Sequence, residues 1–376
     1  MAASINGTAF LTTAKNGIYW ADNVDDNVNV NVVSPVVGYQ RGDTVPVTMR
    51  DVARQAGVSI KTVSRVVNNQ SEISAETRQR VLAVIDELSY RPNKLAQGLV
   101  TQRTFAVGLV VGDITNPFFP EVARGVIDAA QAENYNVFLC NTDGNVEQEL
   151  RTLESLAAHA VDGIIVYPSY DSETNLITIA KAFHPVVVIN YAFDHPGVSN
   201  LMVDHRRGAR LAVDYLAGKG HSRIGMLTGV QQPSLGRMRR IQGFREGLAA
   251  LSLPINDSWI MPSQGPTFES GYESARQLLT QHPEITAIFA YNDLLALGAI
   301  RACHDLGRAI PTDCAIVGFD DIQWAATASP SLTTIRIKKY ELGQQAMTRL
   351  LAMLAEPDGV FPTIYLDVEL VARESA

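Results

Sequence analysis

From Phe105 onward, short apolar runs alternate with amphipathic stretches, and this alternation restricts the possible folds more than any other feature of the chain. Apolar runs that lack interspersed polar residues indicate strands buried on both faces, as in parallel sheets covered by helices. The candidate strands are FAVGLVV, NVFLC, VDGIIVY, PVVVIN, RIGMLTG, EITAIFA and CAIVGF. Because this pattern extends over about 270 residues, too many for one doubly wound unit, we expect two α/β lobes with a cleft between them.

The distribution of charge along the chain is uneven. The 376 residues carry a formal net charge of -8, yet between Val47 and Arg103 nine basic residues outnumber five acidic ones. Nucleic-acid affinity depends on a local basic face rather than on the total charge. The short basic segment therefore predicts a DNA-binding region within an otherwise acidic protein.

The composition also indicates the compartment. No run of 18 apolar residues suggests a membrane span, and the first residues lack a basic stretch followed by a continuous apolar one. Cys140, Cys303 and Cys314 are odd in number and form no C-x-x-C pair, which favours buried thiols in a reducing compartment over disulfides or zinc ligands. We expect a cytoplasmic protein without a membrane partner, cofactor or metal.

The first 46 residues differ in composition from the rest. They are rich in Asn, Asp, Val, Gly and Thr, include the repetitive DNVDDNVNVNVV, and show no sustained helical period. We expect residues 1–46 to be a disordered or spurious N-terminal extension. A sensor or oligomerisation element is the alternative, and no function is assigned to the segment.

Three helical signals follow within about forty residues. Thr48 and Asp51 resemble a capping box at the start of the first helix, and Gly57 ends that helix. Ser59 caps a second helix, and Ser74 a third. Two helices joined by a tight glycine turn predict a helix-turn-helix unit, whose second helix enters the major groove. A small three-helix bundle without DNA-binding function is the alternative.

The exposed residues of the second helix are the candidates for reading bases, because its apolar positions face the first helix. Lysine and arginine donate to guanine O6 and N7, and isoleucine contacts a thymine methyl group. The predicted base-reading residues are Ile60, Lys61, Ser64 and Arg65. The residues predicted to contact phosphates, which position the protein without specifying sequence, are Thr48, Arg50, Ser59, Thr62, Asn68, Ser74 and Thr77.

A short fourth helical segment, YRPNKLAQGLV, follows the third helix. Pro92 blocks continuation of the third helix, while Asn93 caps the next one. So few residues cannot hold a helix in water alone. We therefore expect this segment to need a partner in order to fold.

At this point the motifs carry a family resemblance. They are TMRDVARQAGVSIKTVSRVVNN, ISAETRQRVLAVIDELSYRPNKLAQGL, DITNPFF, VGFDD and SPSLTTIR. In type, order and spacing they resemble those of the lactose and galactose repressor family of bacterial transcription regulators. The resemblance runs from about Thr48 to the terminal VARES, leaving only the first 47 residues uncovered.

The resemblance implies a homodimer that binds a pseudo-palindromic operator, centred on a CG step, through two hinge helices in the minor groove. The family's hinge residues match Asn93, Lys94, Ala96 and Leu99. Leu99 would wedge into the central base step, at an unstacking cost that the resulting bend offsets. Gly98 is a poor helix former, so we expect a hinge more dependent on DNA than is usual. The chain ends without a leucine-heptad tail, which favours a dimer over a tetramer.

The acidic remainder resembles periplasmic sugar-binding proteins. The expected fold is an α/β, two-lobed periplasmic-binding-protein-like sensor with two doubly wound parallel sheets, preceded by an all-α helix-turn-helix head. The expected domains after the extension are 47–91 for DNA binding, 92–103 for the hinge and linker, and 104–376 for effector binding and dimerisation. Lobe 1 should comprise about 104–203 and 334–360, and lobe 2 about 204–333 and 361–376.

Matching the family's motifs places an effector site between the lobes. The residues carried over are Asn116, Phe118, Phe119, Arg240, Asn292 and Asp320, with Tyr170 and Trp324 as further aromatic candidates. Aromatic faces, carboxylates, amides and guanidinium groups suit a polyol. Some of these residues have an alternative role outside the effector site. Phe118 and Phe119 could belong to the core, Asn116 could cap a helix, and Arg240 could lie on a solvated helix face. Asp321 is expected to face solvent beside Asp320.

The sequence departs from the family's motifs at one strand, and alternative functions have to be considered. Asn190 and Tyr191 stand where many family members carry Asp-Arg, which puts in doubt the polar group reaching the ligand from that strand. No dinucleotide or P-loop motif supports an enzyme, and the adjacent carboxylates of GFDD alone are weak evidence for glycoside hydrolysis. The expected function is a repressor of carbohydrate-utilisation genes released by a small sugar. The alternatives are a corepressor-type regulator sensing a nucleobase or sugar phosphate, and a cytoplasmic sugar-binding protein.

Overall fold

The chain divides into two compact units, Met1–Pro92 and Asn93–Ala376. The computed structural model describes residues 10–14, 17–21, 47–67, 72–90, 103–158, 161–168, 173–183, 185–229 and 234–376. Within these ranges, no helix is both long and apolar enough to cross a membrane. Cys303 and Cys314 are buried free thiols, and Cys140 is half-buried.

A two-stranded antiparallel hairpin lies in the N-terminal segment. Strands β1 (Phe10–Ala14) and β2 (Gly17–Ala21) pair with Phe10 opposite Ala21. Each strand is rich in β-branched or aromatic residues, and two residues separate them, which is the usual spacing of a tight hairpin. The other residues of 1–46 lie outside the described residues, so the disordered or spurious N-terminal extension stays a prediction.

Three helices occur in the described residues of the head, 47–67 and 72–90. They are α1 (Met49–Ala56), α2 (Ile60–Val67) and α3 (Ala75–Glu87). Gly57 ends α1 with φ of 65°, a left-handed conformation that glycine adopts without steric cost. The helices share one small apolar core, formed by Val52, Ala53, Ala56, Val63, Val66, Val81, Val84 and Tyr90. Two helices joined by this tight turn confirm the helix-turn-helix arrangement.

The first lobe is built on a six-stranded parallel sheet. Its strands are β3 (Ala106–Val111), β4 (Asn136–Asn141), β5 (Gly163–Val166), β6 (Val186–Ile189), β7 (Val198–Val203) and β13 (Ile364–Leu366). They lie in the order β13-β7-β6-β5-β3-β4. The sheet is accompanied by α4 (Phe118–Ala132), α5 (Val146–Ala158), α6 (Glu173–Ala182) and α12 (Lys339–Ala355).

The second lobe repeats this design. Its strands are β8 (Ile224–Leu227), β9 (Ile260–Met261), β10 (Ala287–Ala290), β11 (Ala315–Asp320), β12 (Thr333–Ile337) and β14 (Val368–Val371). Their order is β14-β12-β11-β10-β8-β9, with β14 antiparallel to β12. The helices are α7 (His205–Gly218), α8 (Leu235–Ala250), α9 (Phe268–Gln281), α10 (Asp293–Asp305) and α11 (Gln323–Thr327). The two mainly parallel sheets confirm the expected fold class.

The chain crosses between the lobes three times, and two crossings differ from the expected boundaries. Strand β12 lies in the second sheet and β13 in the first, so the later crossings fall near residues 338 and 367 rather than 334 and 361. Helix α12 belongs to lobe 1, because Gly343 lets it approach α4 closely: a Cβ there would lie 2.0 Å from the Val122 carbonyl oxygen. Sequence pattern alone does not reveal which sheet offers a short strand its partner.

Candidate functional site

The predicted base-reading residues lie on the face of α2 turned away from the core. Val63 and Val66 are buried, whereas Ile60 is 45% exposed. Lys61 is also exposed, and Ser64 and Arg65 are partly so. The second helix of the unit therefore presents a mixed apolar and basic surface of the kind that contacts base edges in the major groove.

Arg65 has an acidic partner that the sequence pattern did not reveal. Its guanidinium lies 3.2 Å from a carboxylate oxygen of Glu72, which stands between α2 and α3. Both side chains are partly exposed, so water screens the pair and the two charges can separate at little cost. A phosphate or guanine would compete with Glu72 for this guanidinium.

Three of the predicted phosphate contacts cap helices. Thr48 and Asp51 form a capping box at α1, Ser59 accepts a hydrogen bond from Thr62 N at 3.1 Å, and Ser74 does so from Thr77 N at 3.3 Å. Helix N-termini direct backbone N–H groups and a partial positive charge outward, which suits phosphate. Arg50 is exposed. The predicted residues Asn68, Asn93, Lys94, Ala96 and Leu99 lie outside the described residues.

A cavity of about 670 Å³ lies between the two lobes of the Asn93–Ala376 unit. Six of the eight residues considered for the effector site line it, and Tyr170 lies outside the described residues. The six are Asn116, Phe118, Phe119, Arg240, Asn292 and Asp320. Trp324 is not among the lining residues, and its side chain is 46% exposed elsewhere on lobe 2.

The wall on lobe 1 is aromatic. Phe118, Phe119 and Tyr167 pack edge to face, with centroids 5.1 to 5.8 Å apart. Phe118 is only 4% exposed and belongs largely to the core, which leaves Phe119 and Tyr167 the larger share of this wall. Asn116 Oδ1 accepts a hydrogen bond at 3.0 Å from the backbone N of Phe118, the first residue of α4, and so stabilises the start of this helix.

Asn190 connects the aromatic wall to the first crossing between the lobes. Its Nδ2 donates to the Tyr167 hydroxyl at 2.9 Å, and its Oδ1 accepts from Val203 N at 2.8 Å. With φ of 57° Asn190 adopts the left-handed conformation that asparagine tolerates. Where many family members carry the Asp of Asp-Arg, this chain thus has an uncharged amide that orients Tyr167.

The wall on lobe 2 is polar and buried. Arg240 is 3% exposed and lies 3.9 Å from the ring centroid of Phe319 and 4.2 Å from that of Tyr291. It donates to the Tyr291 carbonyl oxygen, and its Nη2 lies 3.5 Å from Asp320 Oδ1. Within the described part of the chain, its Nε has no hydrogen-bond partner. The alternative of a solvated helix face is therefore wrong for Arg240.

Asp320 lies on a strained turn at the end of β11. Asp320 and Asp321 have φ of 113° and 53°, both in regions that favour glycine. The turn is held by Asp293, whose Oδ2 accepts from Ile322 N at 2.8 Å. Burial raises the pKa of Asp320 to about 6, against the lowering effects of Arg240 and Lys339. The carboxylate is thus presented to the cavity in a fixed position.

Asp321 is not the solvent-facing residue that the sequence suggested. Its side chain is 9% exposed and lies between Arg336 Nε at 2.7 Å and Arg373 Nη2 at 2.6 Å. Positive φ at two successive residues turns the second carboxylate inward, where charge-assisted hydrogen bonds hold it. The two guanidinium groups lower the pKa of Asp321 below its usual value, against desolvation, which raises it. Asp321 therefore anchors the turn instead of binding from the surface.

Asn292 has its amide engaged within the protein. Its Oδ1 accepts from Leu295 N at 2.9 Å, which caps α10, and its Nδ2 donates to the Pro266 carbonyl oxygen at 3.0 Å. The NH₂ group carries a second donor besides the one used by Pro266. Its first role here is to shape the edge of the cavity.

Several lining residues escaped the sequence analysis. They lie within two residues of the carboxyl ends of parallel strands, where open α/β sheets place ligand groups. They are Asp113 after β3, Asp143 after β4, Tyr167 after β5 and Tyr291 after β10. Polar or aromatic residues just after each apolar run were the signal that would have found them.

Comparisons with known proteins agree with this architecture. Residues 48–93 match the family model described as bacterial regulatory proteins, lacI family. Residues 104–366 match that of periplasmic binding proteins and the sugar binding domain of the LacI family. These two matches cover the head and nearly all of both lobes.

Individual relatives span nearly the whole chain. The ribose operon repressor of Haemophilus influenzae is 35% identical over 87% of this chain and 98% of its own length. The repressor PurR of Photobacterium profundum is 33% identical with the same coverage. A lac repressor dimer bound to operator and the anti-inducer ONPF superposes with a TM-score of 0.79 at 30% identity, covering 88% of this chain and 99% of that one.

The helix-turn-helix head, the two-lobed sensor and these matches lead to one conclusion. The matched relatives are transcriptional regulators and not enzymes. The chain belongs to the lacI family of bacterial regulatory proteins and is a DNA-binding transcriptional regulator.

Proposed function

We propose that this regulator represses carbohydrate-utilisation genes in the cytoplasm and is released from its operator by a small, uncharged sugar bound between the lobes. The observation that carries the proposal is the pairing of an aromatic wall with the buried Arg240 and Asp320 across one cavity. Sugars offer apolar C–H faces that stack on aromatic rings, and adjacent hydroxyls that bind such paired polar groups.

The charge of the cavity favours a neutral ligand over a sugar phosphate. Among the described lining residues, Asp113, Asp143 and Asp320 are acidic, and Arg240 alone carries a guanidinium or ammonium group. Arg240 is already engaged by Asp320 and the Tyr291 carbonyl oxygen. A phosphate dianion entering this cavity would meet an excess of negative charge, at a cost that low dielectric increases.

The matched relatives support both the sugar and the dimer. One is a ribose operon repressor, and one structural neighbour is a repressor dimer on operator DNA. A homodimer would place two copies of α2 on the half-sites of a pseudo-palindromic operator. Ile60, Lys61, Ser64 and Arg65 would then read bases, and the capped helix N-termini would contact phosphates.

A corepressor that binds a nucleobase is the second candidate. It is favoured by the PurR relative and by the aromatic wall, because a planar base also stacks on such rings. In that case the ligand would strengthen operator binding. A sugar-binding protein without a DNA role would not need the head, whose exposed face is mixed apolar and basic.

A thermal-shift screen distinguishes these candidates. The compounds would be neutral pentoses, hexoses and disaccharides, their phosphates, and purine bases. A neutral sugar that raises the midpoint, and that then weakens binding to an operator selected from random DNA, supports the proposal. A shift by a purine base alone, with tighter operator binding, would establish the corepressor instead.

Deletions test the DNA-binding role separately. Removal of residues 1–46 should leave operator affinity intact, whereas removal of residues 1–103 should abolish it. Undiminished DNA binding by the second variant would show that the head is not the DNA-binding element.

A further inference from the structure

Lys339 occupies an unusual position between the two lobes. It is the first residue of α12, directly after the second crossing, and is 2% exposed although it carries an ammonium group. A buried charge of this kind is tolerated only when oxygen atoms surround it. The oxygens around this ammonium group belong to Asp320, Asp321 and Ile337 of lobe 2 and to Glu121 of lobe 1.

The ammonium group donates to the strained turn of lobe 2. Lys339 Nζ lies 2.7 Å from the carbonyl oxygen of Asp320 and 2.7 Å from that of Asp321. The left-handed conformations of these two residues direct both carbonyls at the same donor. The carboxylate of Asp320 meanwhile lines the cavity beside Arg240. One turn thus presents its side chain to the effector site and its backbone to Lys339.

The backbone of Lys339 is anchored to lobe 1. Helix α12 packs against α4, and Lys339 Nζ also lies 3.4 Å from Glu121 Oε2 in the first turn of α4. The same turn of α4 carries Phe118 and Phe119 of the aromatic wall. Lys339 therefore touches the supports of both walls of the cavity, next to a point about which the lobes can turn.

We propose that Lys339 is a positioning residue that couples the Asp320–Asp321 turn to the angle between the lobes. A ligand that engages the Asp320 carboxylate would shift or stiffen the turn, and the two carbonyl bonds would pass that change to α12 and thus to lobe 1. Hinges of two-lobed proteins are a few residues at element ends, as here. The role in effector response rests on the proposed function, whereas the mechanical link does not.

The link can be tested on the full chain without any ligand. In a Cys140→Ser background, spin labels on Glu154→Cys in lobe 1 and Arg276→Cys in lobe 2 report the distance between the lobes. Both of these positions are exposed. The variants are Lys339→Met, which removes the carbonyl bonds, and Glu121→Gln, which removes only the charge that orients the ammonium group. Lys338→Met is the matched control, because Lys338 is exposed and pairs only loosely with Glu341, at 3.8 Å.

Lys339→Met should shift the mean distance between the labels and broaden its distribution, Glu121→Gln should do so partly, and Lys338→Met should leave it unchanged. A folded Lys339→Met variant with the wild-type distribution would overturn the proposal. Should Lys339→Met fail to unfold cooperatively, Glu121→Gln decides the matter. Glu121 is 46% exposed and its loss leaves no buried group unpaired, so a wild-type distribution in that variant would equally overturn it.

A second arm with D-ribose separates this inference from the proposed function. Where ribose shifts the distance in the wild type, the shift should be several-fold smaller in Glu121→Gln, and an equal shift would contradict the coupling role. Where ribose causes no shift in the wild type, that result counts against ribose as the effector. The ligand-free comparison then still decides whether Lys339 links the lobes.

Discussion

The two recognition surfaces of this protein are built in opposite ways. On the head, Ile60 and Lys61 are exposed and Arg65 has only a surface ion pair. In the cavity, Arg240 and Asp320 are buried and Asp320 has a strained backbone. DNA provides many phosphates, so the head gains affinity from numerous weak and screened contacts. A small ligand forms few bonds, each of which the protein must prepare in advance.

This contrast predicts that single substitutions weaken ligand binding in the cavity more than DNA binding at the head. The largest effect should come from Asp320→Asn. This substitution removes a buried charge, but asparagine has the same shape as aspartate and also tolerates the positive φ at this position. Loss of charge-assisted hydrogen bonds should raise the effector Kd about 100-fold. Titration calorimetry with the sugar found by the thermal-shift screen measures this change.

Asp358→Asn is the control for this prediction, because it removes the same charge from an exposed position. Operator affinity without effector should be unchanged in both variants. An unaltered effector Kd in Asp320→Asn would remove Asp320 from the site and reverse the contrast.

At the head, Lys61→Ala should have a smaller and more selective effect. Loss of one base contact should cost about 1 to 3 kcal/mol and relax the preference at one operator position. Binding to a panel of single-base operator variants measures it. Arg80→Ala, an exposed charge on α3, serves as control and should weaken all sequences equally. Uniform weakening by Lys61→Ala would show that this lysine contacts phosphate only.

The pH should affect the cavity more than the head. The pKa of Asp320 is raised to about 6, so its carboxylate is ionised above that pH and protonated below it. If the effector needs the carboxylate as acceptor, its Kd should rise about tenfold from pH 7 to about pH 5. Calorimetry at both pH values checks this, and a flat profile would show that the ionised form is not required.

The raised pKa of Asp320 has the opposite effect on folding stability: lower pH weakens ligand binding but stabilises the folded protein. In the unfolded chain the pKa of an Asp side chain is about 3.9, so protonated Asp320 favours the folded protein at low pH. This contribution is lost as the pH rises through about 6. Asp293 shares this direction, because burial raises its pKa.

The smallest effect should come from Glu72→Gln on the head. Removing the partner of Arg65 frees the guanidinium and lessens repulsion of phosphate, so operator Kd should fall by about two- to threefold at low salt. Glu87→Gln, at the far end of α3, is the control with the same charge change. Weaker operator binding by Glu72→Gln would show that Glu72 holds Arg65 in its reading position.

Sequence reasoning predicted the head and the cavity to different depths. Periodicity and caps predicted the helix-turn-helix because its signals are local: Ser59, Gly57 and the buried valines all lie within a few turns. In the cavity, Arg240 and Asp320 were found by motif. Tyr167 and Tyr291 each follow an apolar run, a local signal that the sequence analysis did not use, and the fold brings these two strand ends to one cavity.

The errors have physical causes. Asp321 was expected in solvent, but Arg336 and Arg373 reach it from β12 and from the residues after β14, a convergence that only the folded sheet produces. The expected lobe boundaries put most of β12 in lobe 1 and β13 in lobe 2, whereas β12 pairs in the second sheet and β13 in the first, a choice that the sequence pattern of a strand does not specify. Lys339 donates to three backbone carbonyl oxygens, and no pattern of side chains in the sequence predicts such contacts.

The placement of β13 and β14 has a consequence for biosynthesis. Both sheets receive an edge strand from one short stretch, Ile364–Val371, which is synthesised after all the other strands of the two lobes. Ser375 Oγ, after β14, donates to the Ile316 carbonyl oxygen and accepts from Thr333 N. Until this stretch emerges, each nascent lobe exposes an unpaired edge on which chains can aggregate. A chain that ended before Ile364 would lack an edge strand in both sheets, so neither lobe would be complete without this stretch.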